Sequence, residues 1–261
     1  MINIDKNLFL QQEHNIVAIT SGIGSMGKTW LALTLSHALN MLKKSVLLFD
    51  ADNGLLNTYF QTDVNLNGEI KQVVDEEKTL NQIVTPLNRK KFDIIADVPG
   101  SNILKSVPVG RLQILREDVS VLAQNYDYGI IDLPAEERLF KHFLPNLSDL
   151  ILVCTNEPSN LVSTYNFLQE ISDSAKYKNI HIIVNYANSY EEGLQTYNIL
   201  RRACEQYIKV IPPLLGVIRR DTRVRDAINN KVLLLNRYPS SEVAEDVMQI
   251  ARLMVNKGEN S

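Results

Sequence analysis

The chain has 261 residues, 45% of them hydrophobic and 22% charged, with a net charge of −3. That is the composition of an ordinary soluble globular protein, without a linker, a low-complexity run or an internal repeat. The negative balance means that nucleic-acid binding, which relies on Lys and Arg neutralising phosphates, would need a local basic patch.

Two such patches exist, Arg89-Lys90-Lys91 and the group Arg219, Arg220, Arg223 and Arg225, and both read first as solvated surface charge. Cys154 and Cys204 form no CxxC pair, and Cys154 sits in an apolar run. Neither a disulfide framework nor a metal centre is indicated. His14, His37, His142 and His181 lack ligand spacing and read as structural or surface residues. Residues 1–13 contain Asp5 and Glu13 but no apolar run, so they read as an N-terminal extension and not as a signal peptide. No stretch reaches the length of a membrane span. A cytoplasmic protein with one domain over residues 14–256 and a polar tail over 257–261 is expected.

In chain order, the first strand covers Ile16–Ile19 and leads into Ser21-Gly22-Ile23-Gly24-Ser25-Met26-Gly27-Lys28-Thr29-Trp30. This contains G-x-x-x-x-G-K-T, the phosphate-binding loop pattern. Glycines 22, 24 and 27 let the backbone close around phosphates. The N–H groups of the loop, through Ser25 and Met26 to Trp30, and the following helix N-terminus face anionic oxygens. Lys28 reaches the β- and γ-phosphates of ATP, and Thr29 offers a hydroxyl to Mg²⁺. Leu31, Leu35, Leu39 and Leu42 then fall on one face of a helix.

A second strand, Val46–Phe49, ends in Asp50-Ala51-Asp52-Asn53-Gly54. One carboxylate there can enter the Mg²⁺ shell and the other can orient a water; the alternative is a plain turn. Asp93–Ile95 is the third strand and 108–123 a helix. Tyr128–Ile131 is the fourth strand, closed by Asp132 in the position where a Walker B aspartate holds a metal-bound water. Leu150–Val153 is followed by a helix over 161–171. Ile180–Val184 is followed by Asn185, whose amide suits an adenine edge. A helix over 189–207 opens on a Ser189…Glu192 capping-box pattern. Leu214–Ile218 and a last helix over 241–254 complete the chain. Near-continuous apolar strands alternating with helices predict a doubly wound α/β fold, with a mostly parallel sheet and helices on both faces.

The ordered set TSGIGSMGKT, LLFDADNGLLN, IIDLP, CTNEPSN, VNYANSYEEG and GVIRRDTRVRDA resembles the MinD/ParA ATPases. Within them it looks most like the FlhG branch (also called FleN or YlxH), which limits flagellar number and placement. The resemblance spans roughly residues 14–256. It implies an ATP-driven switch that binds Mg-ATP, forms a face-to-face homodimer, engages a protein partner and releases it after hydrolysis. By position it makes Asp52 the water-orienting residue, puts Asp50 beside the metal, and makes Asp132 the switch II residue. Asn185 together with Ile218, Arg219 and Asp221 forms the adenine site, although the family usually has Pro where Arg219 stands.

Several features depart from that pattern. Ile23 occupies the position of the family's second, signature lysine, and Ser25 that of its second glycine. Losing a cation at developing phosphoryl charge costs about 10³-fold or more in rate, whereas the cradle and Lys28 remain for binding. The switch II stretch Asp132-Leu133-Pro134-Ala135-Glu136 is stiffened by proline. No amphipathic membrane helix follows Val255, and no D-Q-A-x-x-L-R-type motif stands in residues 1–15. Two alternatives stay open: a ParA-like DNA-segregation ATPase working through the Arg219–Arg225 cluster, and a nucleotide-binding interaction module that no longer hydrolyses ATP. Lack of CxxC argues against the related iron–sulfur carriers.

Overall fold

The structure is a computed structural model that describes residues 16–52, 58–88, 90–135, 137–172 and 179–258. The N-terminal extension, Asn53-Gly54, Arg89 and Glu136 lie outside the described residues.

In chain order the elements are β1 (Ile16–Ser21), α1 (Lys28–Met41), β2 (Val46–Asp50), α2 (Thr58–Thr62), α3 (Ile70–Val74) and α4 (Leu80–Ile83). They continue with β3 (Thr85–Asn88), β4 (Phe92–Ile95), α5 (Ile103–Ser106), α6 (Val109–Ala123), β5 (Tyr128–Asp132) and α7 (Glu137–Phe143). The last group is β6 (Asp149–Cys154), α8 (Pro158–Ser172), β7 (Ile180–Ala187), α9 (Tyr190–Tyr207), β8 (Leu214–Arg219), α10 (Thr222–Asn229), α11 (Leu234–Arg237) and α12 (Glu242–Gly258).

The eight strands form one sheet in the order β3-β4-β2-β5-β1-β6-β7-β8. Every pairing is parallel except β3 with β4. β1, β2, β5 and β6 are buried along their whole length, because helices cover both faces; this is why they read as unbroken apolar runs. Alternate residues of each strand feed two separate cores. Ile16 and Ala18 join the core built with α6, α7, α8 and α9, and Val17 and Ile19 the one built with α1, α10, α11 and α12. The chain winds from β1 towards β2 on one side and later returns to place β6 on the other. The crevice at this reversal opens at the carboxyl end of β1, the usual ligand position in such sheets.

α1 differs from the one-faced helix expected from its leucines. Every residue from Trp30 to Asn40 is buried, because the helix is wedged between the sheet and α12. The capping box expected at α9 forms by half. Ser189 Oγ accepts from Glu192 N at 3.1 Å, but the Glu192 carboxylate reaches Asn188 N at 2.9 Å and the Asn156 side chain instead. α12 runs to Gly258, two residues past the expected domain end.

Candidate nucleotide site

β1 ends at Ser21 and α1 starts at Lys28, so residues 22–27 form the loop between them. Two of its three glycines are required by their surroundings. Gly27, the N-cap of α1, has φ +78°, and a Cβ there would lie 2.6 Å from Asn185 Nδ2 and 3.0 Å from Tyr186 Oη. A Cβ on Gly22 would lie 2.4 Å from the Ser163 carbonyl oxygen, because the backbone of α8 presses on the loop. Nothing lies within 4 Å of a Cβ on Gly24. Ser25 holds φ +64° and is exposed, as is Ile23 beside it.

The acidic residues converge as the sequence predicts. β2 and β5 pair so that Asp50 and Asp132 stand side by side, two residues short of the end of β1 through Ile19↔Asp132. Both are fully buried. Asp132 Oδ2 accepts from Thr29 Oγ1 at 2.5 Å, while its Oδ1 has no hydrogen-bond partner among the described residues. Asp50 Oδ2 accepts from the Thr58 N–H at 2.7 Å. Lys28 Nζ stands 3.4 Å from Asp52 Oδ2; the lysine is buried and the aspartate partly exposed. Burial, with some repulsion from Asp52, pushes the Asp50 carboxyl up to about 7 against the pull of Thr58. Burial, and next the charge of Asp50, raises Asp132 well above the ordinary carboxylate range despite Lys28 and Thr29.

Three carboxylates therefore gather around one buried lysine, and two buried carboxylate oxygens, Asp50 Oδ1 and Asp132 Oδ1, lack a donor among the described residues. Such a site is electrostatically incomplete without a further cation. Among the described residues no three His, Cys, Asp or Glu side chains converge as a metal cage. A Mg²⁺ ion held by one or two carboxylates, a hydroxyl and ligand phosphates needs no such cage, so the residues present fit it.

The residues predicted for the base side are arranged differently from one another. Asn185 donates from Nδ2 to the Met26 carbonyl at 2.9 Å and accepts the Tyr186 N–H at 2.9 Å, so its amide braces the loop from below. Ile218 is buried in the strand, and Trp30 is buried in the core around α1. Arg219 turns away to α12, where its Nε and Nη2 bind Asp246 at 3.0 and 2.8 Å and its Nη1 reaches Glu242 at 2.7 Å. Asp221 caps α10 through Arg223 N at 2.8 Å and pairs with the Arg223 guanidinium at 3.1 Å. Sequence reasoning passed over Tyr186, which stands next to Gly27. An aromatic residue at a strand's carboxyl end, directly after Asn185, was the available signal.

A family model described as the CobQ/CobB/MinD/ParA nucleotide binding domain matches residues 17–235. The chain belongs to this family. Curated MinD/ParA relatives include the antiactivator FleN of Pseudomonas aeruginosa, 23% identical over 230 residues that cover 88% of this chain and 82% of that protein. The flagellum site-determining protein YlxH of Helicobacter pylori is 26% identical over 243 residues, covering 92% and 82%. Among solved structures, the septum site-determining protein MinD of Pyrococcus horikoshii, complexed with Mg-ADP, superposes with a TM-score of 0.76. It is 23% identical and covers 94% of this chain and 97% of its own. The eight-stranded sheet is thus the MinD fold, and nucleotide binding is the family's property.

Proposed function

We propose that this protein is a Mg-ATP-dependent switch of the MinD/FlhG type, which acts through protein partners on the number or placement of a cellular structure such as the flagellum. The observation that carries the nucleotide part is the convergence of Lys28, Thr29, Asp50, Asp52 and Asp132 around a phosphate loop at the carboxyl ends of three adjacent strands. The similarity to FleN and YlxH supports the flagellar part.

In this reading the loop N–H groups and Lys28 hold the phosphates. Thr29 and Asp132 hold Mg²⁺, with Asp50 beside it. Magnesium, when bound, neutralises charge on the β- and γ-oxygens. The γ-phosphate takes over Lys28 from Asp52, and the released carboxylate becomes free to orient a water. Hydrolysis of ATP to ADP and phosphate is slow, because Ile23 offers no charge to the phosphoryl oxygens.

Ile23 also motivates a second reading, a module that binds nucleotide without turnover. The DNA-segregation alternative is weakened because Arg219 and Arg223 are engaged by Asp246 and Asp221. Turnover at saturating Mg-ATP and solution mass with and without ATP test the proposal in wild type, Ile23→Lys and Lys28→Ala. Slow turnover and ATP-dependent dimerisation, both lost in Lys28→Ala, support the switch. Binding without either property, with one restored by Ile23→Lys, replaces it by the non-hydrolysing module.

A further inference from the structure

A phosphate loop holds an anion only if its N–H groups face the ligand and its carbonyl groups face elsewhere. The peptide unit is planar and trans, so holding one carbonyl turns the next residue's N–H in the opposite direction. Three carbonyls of this loop are held. The Ile23 carbonyl accepts from Ser21 Oγ, the Met26 carbonyl from Asn185 Nδ2 at 2.9 Å, and the Gly27 carbonyl from Leu31 N at 2.9 Å. The last is the opening bond of α1 and follows from helix geometry. The other two are made by side chains, and both residues are buried, Ser21 at the end of β1 and Asn185 within β7.

Burial gives these two contacts their directing power. A hydroxyl or amide sealed from water must find its partner in the protein, and that partner is thereby fixed. Asn185 has no slack. Its Oδ1 accepts the Tyr186 N–H at 2.9 Å, and its Nδ2 packs so closely on Gly27 that a Cβ there would lie 2.6 Å away. The Met26 side chain is itself buried in the core around α1, so the peptide unit between Met26 and Gly27 is held from both sides. Ser25 and Gly27 are left-handed, with φ +64° and +78°, and Met26 between them is not. Such alternation curls successive N–H groups towards one point, the anion-binding concavity called a nest.

We propose that Ser21 and Asn185 are positioning residues for phosphate binding: by holding the carbonyls of Ile23 and Met26, they turn the N–H groups of Gly24 and Gly27 towards the anion. The inference rests on the nucleotide-site reading above and adds to it what sets the polarity of the loop. It gives Asn185 a different task from the adenine contact that the family resemblance implies. An amide acting on the loop serves the phosphate chain whatever base is attached to it.

Calorimetric titration of the full chain with Mg²⁺ and either ATP or inorganic tripolyphosphate separates the two tasks. Asn185→Leu removes the donor at similar volume, and Ser21→Ala removes the hydroxyl. Each is expected to weaken ATP and tripolyphosphate by the same factor, about 10- to 100-fold, as the loss of one hydrogen bond to a charged group is worth. Ser21→Thr, which restores a hydroxyl donor, recovers most of the loss. The titrations are run below the unfolding transition of every variant. There a residue that only stabilised the fold would lower Tm and leave both dissociation constants unchanged, because nearly every molecule is still folded.

A loss confined to ATP in Asn185→Leu would show that the amide reads the base and would overturn the proposal. So would unchanged affinities in Ser21→Ala. Should Asn185→Leu fail to fold, Ser21→Ala and Ser21→Thr decide the matter by themselves. If wild type binds ATP but not tripolyphosphate, the loop is not what holds the ligand, and the proposal falls while nucleotide binding stands. If wild type binds neither, the nucleotide-site reading falls and takes this inference with it.

Discussion

The three glycines of the phosphate loop are equivalent in the motif but not in the structure, and alanine substitution separates them. Gly27→Ala forces an L-residue to φ +78°, at about 1–2 kcal/mol. Its methyl group would lie 2.6 Å from Asn185 Nδ2, so the buried Asn185–Met26 hydrogen bond must break or bend. Leaving a buried partner unsatisfied costs roughly 1–3 kcal/mol more. The total, about 3 kcal/mol, corresponds to a fall of roughly 6–12 °C in Tm for a domain near this size. Gly24→Ala meets open space and no positive φ, so its Tm should change by less than about 2 °C. Thermal unfolding of ligand-free wild type and the two variants decides the matter. If Gly24→Ala unfolds as early as Gly27→Ala, or Gly27→Ala melts with wild type, the reasoning from loop contacts is wrong.

Three further outcomes are expected. Burial holds His37 neutral, with its pKa lowered to about 4 from 6.5. The unfolded chain therefore binds the extra proton first, and stability falls as pH drops from about 6.5 towards 4, by up to about 3 kcal/mol. His37→Phe, which keeps a ring stacked on Phe92, should flatten that slope in urea midpoints taken at pH 7 and 4.5. Gly193 lets α9 approach β8 so closely that a Cβ would lie 2.2 Å from Val217 Cγ1. Gly193→Ala should cost about 1–3 kcal/mol and Val217→Ala should recover part of it in a double-mutant cycle; additive losses would deny the contact. Arg219→Ala leaves the buried Asp246 carboxylate without its bidentate partner and should lower the midpoint of denaturant unfolding, by an amount that corresponds to about 1–2 kcal/mol of unfolding free energy. An unchanged midpoint would show that Asp246 finds water or another donor.

The legible parts of the fold were those where burial imposes a pattern. β1, β2, β5 and β6 are covered on both faces, so their sequences are continuous apolar runs, and the acids that close β2 and β5 stand out against them. β3 was not visible. It is a four-residue edge strand containing Pro86 and largely uncovered, so neither apolar run nor alternation marks it. The burial of α1 on all sides was hidden for a different reason: its cover, α12, lies far away in the chain. At the site, the motif named the loop and its carboxylates but not what the side chains behind it contact. The turn of Arg219 towards Asp246 depends on how α12 packs, and the proximity of Tyr186 to Gly27 depends on β7 lying next but one to β1 in the sheet. Neither is encoded by local spacing.

The wedging of α1 also bears on how the molecule reaches its native state. The helix that carries Lys28 and Thr29 is synthesised well before the element that seals its outer face, α12, which begins about 200 residues later. Tyr128 Oη donates to the Met254 carbonyl and joins the same late closure to the middle of the sheet. A contact of such sequence separation forms slowly, because a long loop must close before it is rewarded. On a ribosome the phosphate loop therefore waits on an unsealed helix until α12 has emerged, and competence to bind a nucleotide follows that distant closure.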